Sequence, residues 1–394
     1  MIQQPVEAQI TNYLYKKASC QGLPLSGTFE LTPCCNMACK MCYVRKTKAE
    51  QEAISPLRTP EEWIQLGEQA QEAGMLYLLI TGGEPFLYPG IREVLTRLHY
   101  MGFIVSINTN GTMINHQTIE WLKECPPSKF NITLYGASDE TYERLCGNPK
   151  GFTQTTRAIR LLKEAGFSVK INCSVTPHNV NDLEGIFAFA REEQLVVQAT
   201  SYMFPPVRRD VAMIGTNERF TPEEAAYQAA RITALTEGYQ SFLERMEKQA
   251  PLSLPDELEE DCPQLEAEGD KIRCRAGKCS FWITWEGNML PCGIFPNEGA
   301  ENVFDLGFEK AWENVRERTR EIRLPAKCKA CERRDQCKSC AAMVITESGD
   351  FHTVPEYRCS MSKNYSSACN LLKEELSGIS TMVAENGKIG GDEV

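Results

Sequence analysis

From residue 59 to residue 202 the chain repeats one unit, an amphipathic stretch followed by a short apolar run. Thr59 can cap the first stretch, Pro60 suits its first turn, and Glu61 and Glu62 favour the positive helix end. Gly74 closes it. The run "LYLLI" at 76–80 follows, as in a strand buried on both faces. Helices near 91–100, 115–124, 139–146 with 152–165, and 181–194 then precede strands at 103–108, 130–135, 168–175 and 196–202. This alternation predicts an α/β chain with a parallel sheet and helices outside, open or curled into a barrel. Chemistry in such folds sits at the carboxyl ends of the strands. The segments "TGGEP", "NTNGT" and "YGAS" fall at three of those ends.

Beyond the alternating region lies an amphipathic helical stretch at 221–249, then an acidic, Pro-rich stretch at 250–270 that reads as a surface linker or lid. The tail "AENGKIGGDEV" has no apolar pattern and is expected to fray. A net charge of -11 argues against nonspecific binding to nucleic acid or anionic membranes. No apolar run is long enough for a membrane span, and the N-terminus lacks a secretory pattern, so the chain reads as cytoplasmic. It nevertheless has 18 cysteines. In a reducing compartment, clustered cysteines read as metal ligands rather than disulfides.

Four of them lie in "CCNMACKMC", residues 34–42, and ten lie between Cys262 and Cys369. Cys20, Cys125, Cys146 and Cys173 stand alone in sequence. The useful register of the first group is Cys35-xxx-Cys39-xx-Cys42. Structural zinc sites and fully ligated iron–sulfur clusters take four protein ligands. A loop of three leaves one metal corner free, which suits chemistry more than scaffolding. Cys34 is the fourth candidate, but neighbouring side chains seldom converge on one cluster.

CxxxCxxC followed by an aromatic, Tyr43, and then "GGEP" after a strand, resembles the radical S-adenosylmethionine (SAM) superfamily. The likeness covers roughly residues 28–203. It implies a partial (β/α)6 barrel in which Cys35, Cys39 and Cys42 hold a [4Fe–4S] cluster whose fourth iron is chelated by SAM. Gly82, Gly83, Glu84 and Pro85 would lie against the methionyl amino group, the glycines allowing close approach and Pro85 fixing the turn. Glu84 either meets the cofactor or braces the loop. By the same likeness Ser106, Asn108, Asn110 and Thr133 are candidates for polar contacts to the cofactor, with Asn172 and Ser174 also directed inward if the strand alternation holds. The implied chemistry is reductive cleavage of SAM to a 5′-deoxyadenosyl radical, which abstracts a hydrogen from an unactivated C–H bond. No residue is singled out as a catalytic acid or base.

The second group reads Cys274, Cys279 and Cys292, then Cys328, Cys331, Cys337 and Cys340, then Cys359. Eight thiols fill two four-ligand sites, and a pair of structural zincs is the plain alternative. The module resembles the SPASM extension of radical SAM maturases over about residues 270–362. That likeness gives Cys274, Cys279, Cys292 and Cys340 to an inner auxiliary cluster, and Cys328, Cys331, Cys337 and Cys359 to an outer one. The expected cofactors are then SAM and three [4Fe–4S] clusters. One departure stands out: two residues separate Cys337 from Cys340, where the family more often has three. Cys262 and Cys369 flank the module as spare candidates.

The domain reading is an N-terminal extension at 1–27, a radical SAM core at 28–215, a helical and acidic linker at 216–261, an auxiliary-cluster domain at 262–372 and a tail at 373–394. The function implied is maturation of a ribosomally made peptide by a thioether, a carbon–carbon cross-link or epimerisation. A small-molecule dehydrogenase or rearrangement enzyme is the alternative. A sulfatase maturase is disfavoured because Gly293, not Asp, follows Cys292, and a non-catalytic iron–sulfur or zinc scaffold fits least. The partners implied are a precursor peptide or small molecule and an electron donor such as flavodoxin or ferredoxin. A winged-helix leader-binding domain does not fit in the 34 residues before Cys35, so either a separate leader-recognition protein presents the peptide, or the leader binds elsewhere, or the substrate is not a ribosomal peptide. Arg208 and Arg209 read as a grip for a carboxylate or as a solvated basic turn, and Tyr135 and Tyr202 as cavity lining or packing.

Overall fold

A computed structural model describes residues 6–248 and 272–386. Cys262, the acidic stretch 250–270 and the last residues of the tail lie outside the described residues. Six parallel strands follow one another in chain order: β1 (Ser26–Glu30), β2 (Tyr77–Thr81), β3 (Ile104–Thr109), β4 (Lys129–Thr133), β5 (Val169–Ser174) and β6 (Val196–Thr200). Helices connect them, as a parallel sheet requires, α4 (Ile91–Tyr100), α5 (His116–Leu122), α6 (Asp139–Cys146), α7 (Gly151–Glu164) and α8 (Leu183–Glu192) among them. The result is the partial (β/α)6 barrel, and all five strands read from the sequence form within two residues of their expected ends.

Local chemistry explains the helices. At α3 (Pro60–Glu72) the Thr59 side chain accepts from the Glu62 amide while the Glu62 carboxylate accepts from Thr59. Thr47 and Glu50 do the same for α2 (Lys48–Ile54), and Thr221 and Glu224 for α9 (Pro222–Glu237). The stretch expected as one helix at 221–249 breaks at Gly238, whose φ of 86° is open to glycine, and resumes as α10 (Tyr239–Glu247). Among the elements that the sequence reading does not mark are β1 and the N-terminal helix α1 (Val6–Gln21).

One face of each strand packs on the helices. Leu78, Ile80, Val105, Ile107, Phe130, Ile132 and Ile171 on that face are buried in one cluster with helix residues such as Leu95, Leu98 and Ile159. The alternate residues, Ser106, Asn108, Asn131, Thr133, Asn172 and Ser174, are only half-buried and form a polar inner face. The strand alternation therefore holds.

The Cys-rich module does not stand apart. Its strand β7 (Ser280–Ile283) pairs in parallel with β1, and β8 (Asn288–Leu290) and β9 (Glu301–Asn302) add antiparallel beyond it, giving one nine-stranded sheet. A helix at Glu356–Asn386 packs along α9, with the Tyr357 hydroxyl donating to the Phe220 carbonyl at 2.8 Å. Residues 373–386, expected within the tail, belong to this helix, because Leu372 buries against the core and the Tyr227 hydroxyl bonds Glu375.

The segment after β6 straps the module to the barrel with two buried Arg–Glu pairs. Arg208 forks onto Glu30 at 2.8 and 3.0 Å, both side chains almost wholly buried, and also donates to the Gly293 carbonyl. Arg219 forks onto Glu347 at 2.6 and 2.8 Å and stacks over Tyr357. Arg208 is therefore neither a substrate grip nor a solvated turn. Removing one partner of such a pair costs about 3–5 kcal/mol, since the other charge is left alone in a dry site. Arg208→Ala should lower stability to chemical denaturation by that much, whereas Arg92→Ala, at an exposed pair with Glu124, should leave it within error.

Candidate active site

Because the strands are parallel, the loops after β1, β2 and β3 meet at one end of the barrel. The loop after β1 carries the first cysteines, and its backbone runs on beside the loop after β2. The Gly83 amide donates to the Thr32 carbonyl at 2.7 Å and the Glu84 amide to the Cys34 carbonyl at 2.9 Å. A Cβ on Gly82 would sit 2.5 Å from the Thr32 carbonyl oxygen, and one on Gly83 2.4 Å from that of Cys34. The glycines are thus required by the cysteine loop itself, rather than first by a ligand. Pro85 starts a tight turn at Pro85–Leu87, capped by the Glu84 side chain.

Glu84 is fully buried and its carboxylate is saturated. It accepts from the Thr109 hydroxyl at 2.7 Å, the Asn110 amide at 2.8 Å and the Phe86 amide at 3.1 Å. Burial pushes its carboxyl up to about 7, and the three hydrogen bonds oppose that shift. Of the two readings of Glu84, the geometry is that of a loop brace between β2 and β3.

Asn110 joins the third loop to the first. Its amide donates to the Asn36 side chain at 2.9 Å and reaches the Cys35 sulfur at 3.7 Å, while its oxygen accepts from Thr112. Asn36 in turn donates to the Thr112 hydroxyl at 2.8 Å. Asn36, Thr109 and Thr112 were missed in the sequence, where the only available signal was their place beside motif residues at strand ends. Asn108 accepts from Asn131 at 2.8 Å, and the Thr133 hydroxyl donates to the Thr109 carbonyl. Ser106 does not join the site: it lies level with Lys129 at the start of β4, its hydroxyl 3.4 Å from that of Ser128.

The thiols of Cys35, Cys39 and Cys42 are close enough to feel one another's charge. Backbone amides of Met37 and Arg45 point at the Cys35 and Cys42 sulfurs, at 3.4 and 3.3 Å. Burial pushes the Cys35 thiol up to about 12, so metal assembly here must displace a proton. Cys146, isolated in sequence, lies against this loop: its carbonyl accepts from the Ala38 amide, and its free thiol lies close to that of Cys39. Tyr43 packs inward with the Arg208 guanidinium 5.8 Å from its ring centre, and burial holds its phenol above the ordinary range. Tyr135 lies near the cysteines, whereas Tyr202 packs away with Phe204 and donates to Glu347.

In the C-terminal module, Cys328, Cys331, Cys337 and Cys359 line one cavity. Cys274, Cys292 and Cys340 interact electrostatically as a second set, with Cys279 beside Cys274. The unusual spacing of Cys337 and Cys340 has a local cause. Lys338 adopts φ 49°, a left-handed turn, while the Cys337 carbonyl is held by Arg358. The reversal sends the two thiols to different sets. Cys369 is buried beside Tyr365. Among the described residues no three His, Cys, Asp or Glu side chains surround a space fit for a single metal ion. A cubane cluster asks for another arrangement, with each cysteine on its own iron. Two observations fit a cofactor at the barrel mouth: the amide N–H groups aimed at cysteine sulfurs, and the buried amide oxygens of Asn131 and Asn172, which lack a protein partner on the inner face.

The model of the radical SAM superfamily matches residues 29–190. Over that stretch the chain matches the radical SAM superfamily. The superfamily's chemistry implies SAM and a [4Fe–4S] cluster. The AdoMet-dependent heme synthase of Methanosarcina barkeri is 26% identical over 82% of this chain and 93% of its own length. The antilisterial bacteriocin subtilosin biosynthesis protein AlbA of Bacillus subtilis is 27% identical over 74% of this chain and 59% of its own. Streptococcus suis SuiB, solved bound to its precursor peptide SuiA, superposes with a TM-score of 0.64 at 18% identity, covering 89% of this chain and 80% of that one. A Cys-rich C-terminal module follows the matched region, and the likeness of fold to SuiB takes in 89% of the chain. No helix among the described residues is long and apolar enough to cross a membrane.

Glu84→Ala would strand the Asn110 and Phe86 amides, at about 1–3 kcal/mol each. SAM affinity, measured by calorimetry on the iron-loaded protein, should fall severalfold, with Glu84→Gln less affected. Unchanged affinity in Glu84→Ala would show that the barrel mouth does not need this brace.

Proposed function

We propose that this radical SAM enzyme abstracts a hydrogen from a precursor peptide, using Cys35, Cys39 and Cys42 for the SAM-binding cluster and eight C-terminal cysteines for two auxiliary clusters. The observation that carries the reading is the grouping of thiols: three on one braced loop at the barrel mouth, four around one cavity, and Cys274, Cys292 and Cys340 together with Cys279 beside Cys274. When bound, the first cluster and SAM together supply a primary carbon radical. The protein's own work is positional. Glu84 locks the β2 and β3 loops, Asn110 and Asn36 hold the cysteine loop against them, and the inner-face amides of Asn131 and Asn172 offer acceptors to a polar ligand. Gly293 gives Cys292 no acidic neighbour, and its Cα faces the Trp282 indole so closely that a Cβ would lie 2.5 Å from it. Formylglycine formation by a base at that position is therefore disfavoured.

The relatives that act on peptides by name, and SuiB with its bound peptide, support a peptide substrate; an electron donor of the flavodoxin or ferredoxin class would serve the cluster. A small-molecule substrate is the second reading, favoured by the near full-length match to a heme synthase. Incubation of the reduced enzyme with peptides encoded beside its gene, and separately with a heme precursor, should give a mass change in the peptide alone. Conversion of the heme precursor instead would reverse the assignment.

The anaerobically reconstituted protein should hold about twelve irons, at four per cubane. A Cys35→Ala, Cys39→Ala, Cys42→Ala variant should lose about a third of them and all SAM cleavage. Iron near four, with zinc present, would make the C-terminal module a zinc domain.

A further inference from the structure

The N-terminal helix α1 has no part in the barrel, yet it packs over one thiol of the C-terminal module. Tyr15, Ala18 and Leu25 form a small apolar cluster with Cys279, which is fully buried. Tyr15 stacks on Tyr77 at 5.4 Å between ring centres, and the Arg275 guanidinium lies 3.4 Å above the Tyr15 ring. The Ser26 amide donates to the Cys279 carbonyl at 3.1 Å, fixing the residue against the start of β1. Within this cover, the Ser19 hydroxyl donates to the Cys279 sulfur at 3.0 Å. A serine inside a helix ordinarily bonds back to a carbonyl one turn earlier. Here its proton is directed instead to a sulfur 260 residues away in sequence.

We infer that Ser19 is a positioning and tuning residue of the inner auxiliary cluster, its hydroxyl donating to the Cys279 ligand sulfur and raising that cluster's reduction potential. The inference rests on the assignment of Cys279 to that cluster. Hydrogen bonds to cluster sulfurs and exclusion of solvent are among the protein's means of setting potential. A donor stabilises the reduced state more, because reduction places added negative charge on the sulfurs. Burial under α1 strengthens the effect by removing water that would otherwise compete. The electron-accepting or electron-donating role of the inner cluster would then depend on a helix outside both iron-binding modules.

The test is a redox titration of the full-length, iron-loaded protein, followed by electron paramagnetic resonance. In Ser19→Ala one of the auxiliary signals should require a lower potential. At fixed potential its reduced-to-oxidised ratio should fall about tenfold, which for one electron is about 59 mV. The other signals should not move, and Ser19→Thr, which keeps the hydroxyl, should restore the wild-type midpoint. Full iron with an unmoved midpoint in Ser19→Ala would overturn the proposal while leaving the cluster assignment standing. Loss of iron from Ser19→Ala would also overturn it, reducing α1 to a structural cover. A Cys279→Ala variant that keeps every iron and every signal would remove the assignment beneath it.

Discussion

A carboxylate and a guanidinium with almost no access to water hold this molecule's two halves in register. Glu30 ends β1, the strand that leads into the first cysteine loop, and receives two hydrogen bonds from Arg208 and a third from the Trp282 indole of β7 at 2.9 Å. Arg208 spends a further donor on the Gly293 carbonyl, beside Cys292. Neither charge can leave this arrangement without stranding the other. The first cysteine loop and the loop that carries Cys292 are thereby tied through one pair of side chains, with Tyr43 packed beside it. Any chemistry that passes electrons between the two sites inherits its geometry from this pair.

The loops at the barrel mouth interlock by the same logic on a smaller scale. Gly82 and Gly83 let two backbones touch, and Glu84 converts that contact into a rigid corner by satisfying three donors at once. The motif's sequence signature is thus in large part a packing requirement. A side chain at either glycine would push the thiols away from the strand end before any cofactor arrived.

Much of this was legible because it is written in local periodicity. The five strand–helix units follow from apolar runs, caps and glycines, and the thiol groups follow from spacing. What escaped the sequence was non-local. β1 is short and holds Ser26, Gly27 and Glu30, so no apolar run betrays it, and its order depends on pairing with β2 and β7. Arg208 looked solvated because its partner lies 178 residues away. Cys146 looked isolated because only the fold brings it to Cys39. Residues 373–386 looked like tail because their helix is held by its packing along α9. The odd spacing at Cys337 and Cys340 was visible, but its resolution needed one left-handed residue that sequence does not announce.

The pairing of β1 with β7 carries a consequence for how the chain is made. As synthesis proceeds from the N-terminus, β1 to β6 can assemble, but one edge of β1 keeps its backbone donors and acceptors open until Ser280–Ile283 has emerged. An unpaired edge is a template for other chains. The cysteine loop leaves from the end of that same strand, so the nascent protein holds an open edge and bare thiols together for some 250 residues of elongation. Biosynthesis, more than the finished fold, is where this protein is most exposed to aggregation and oxidation, and an early chaperone or an anaerobic cell would protect the same few residues.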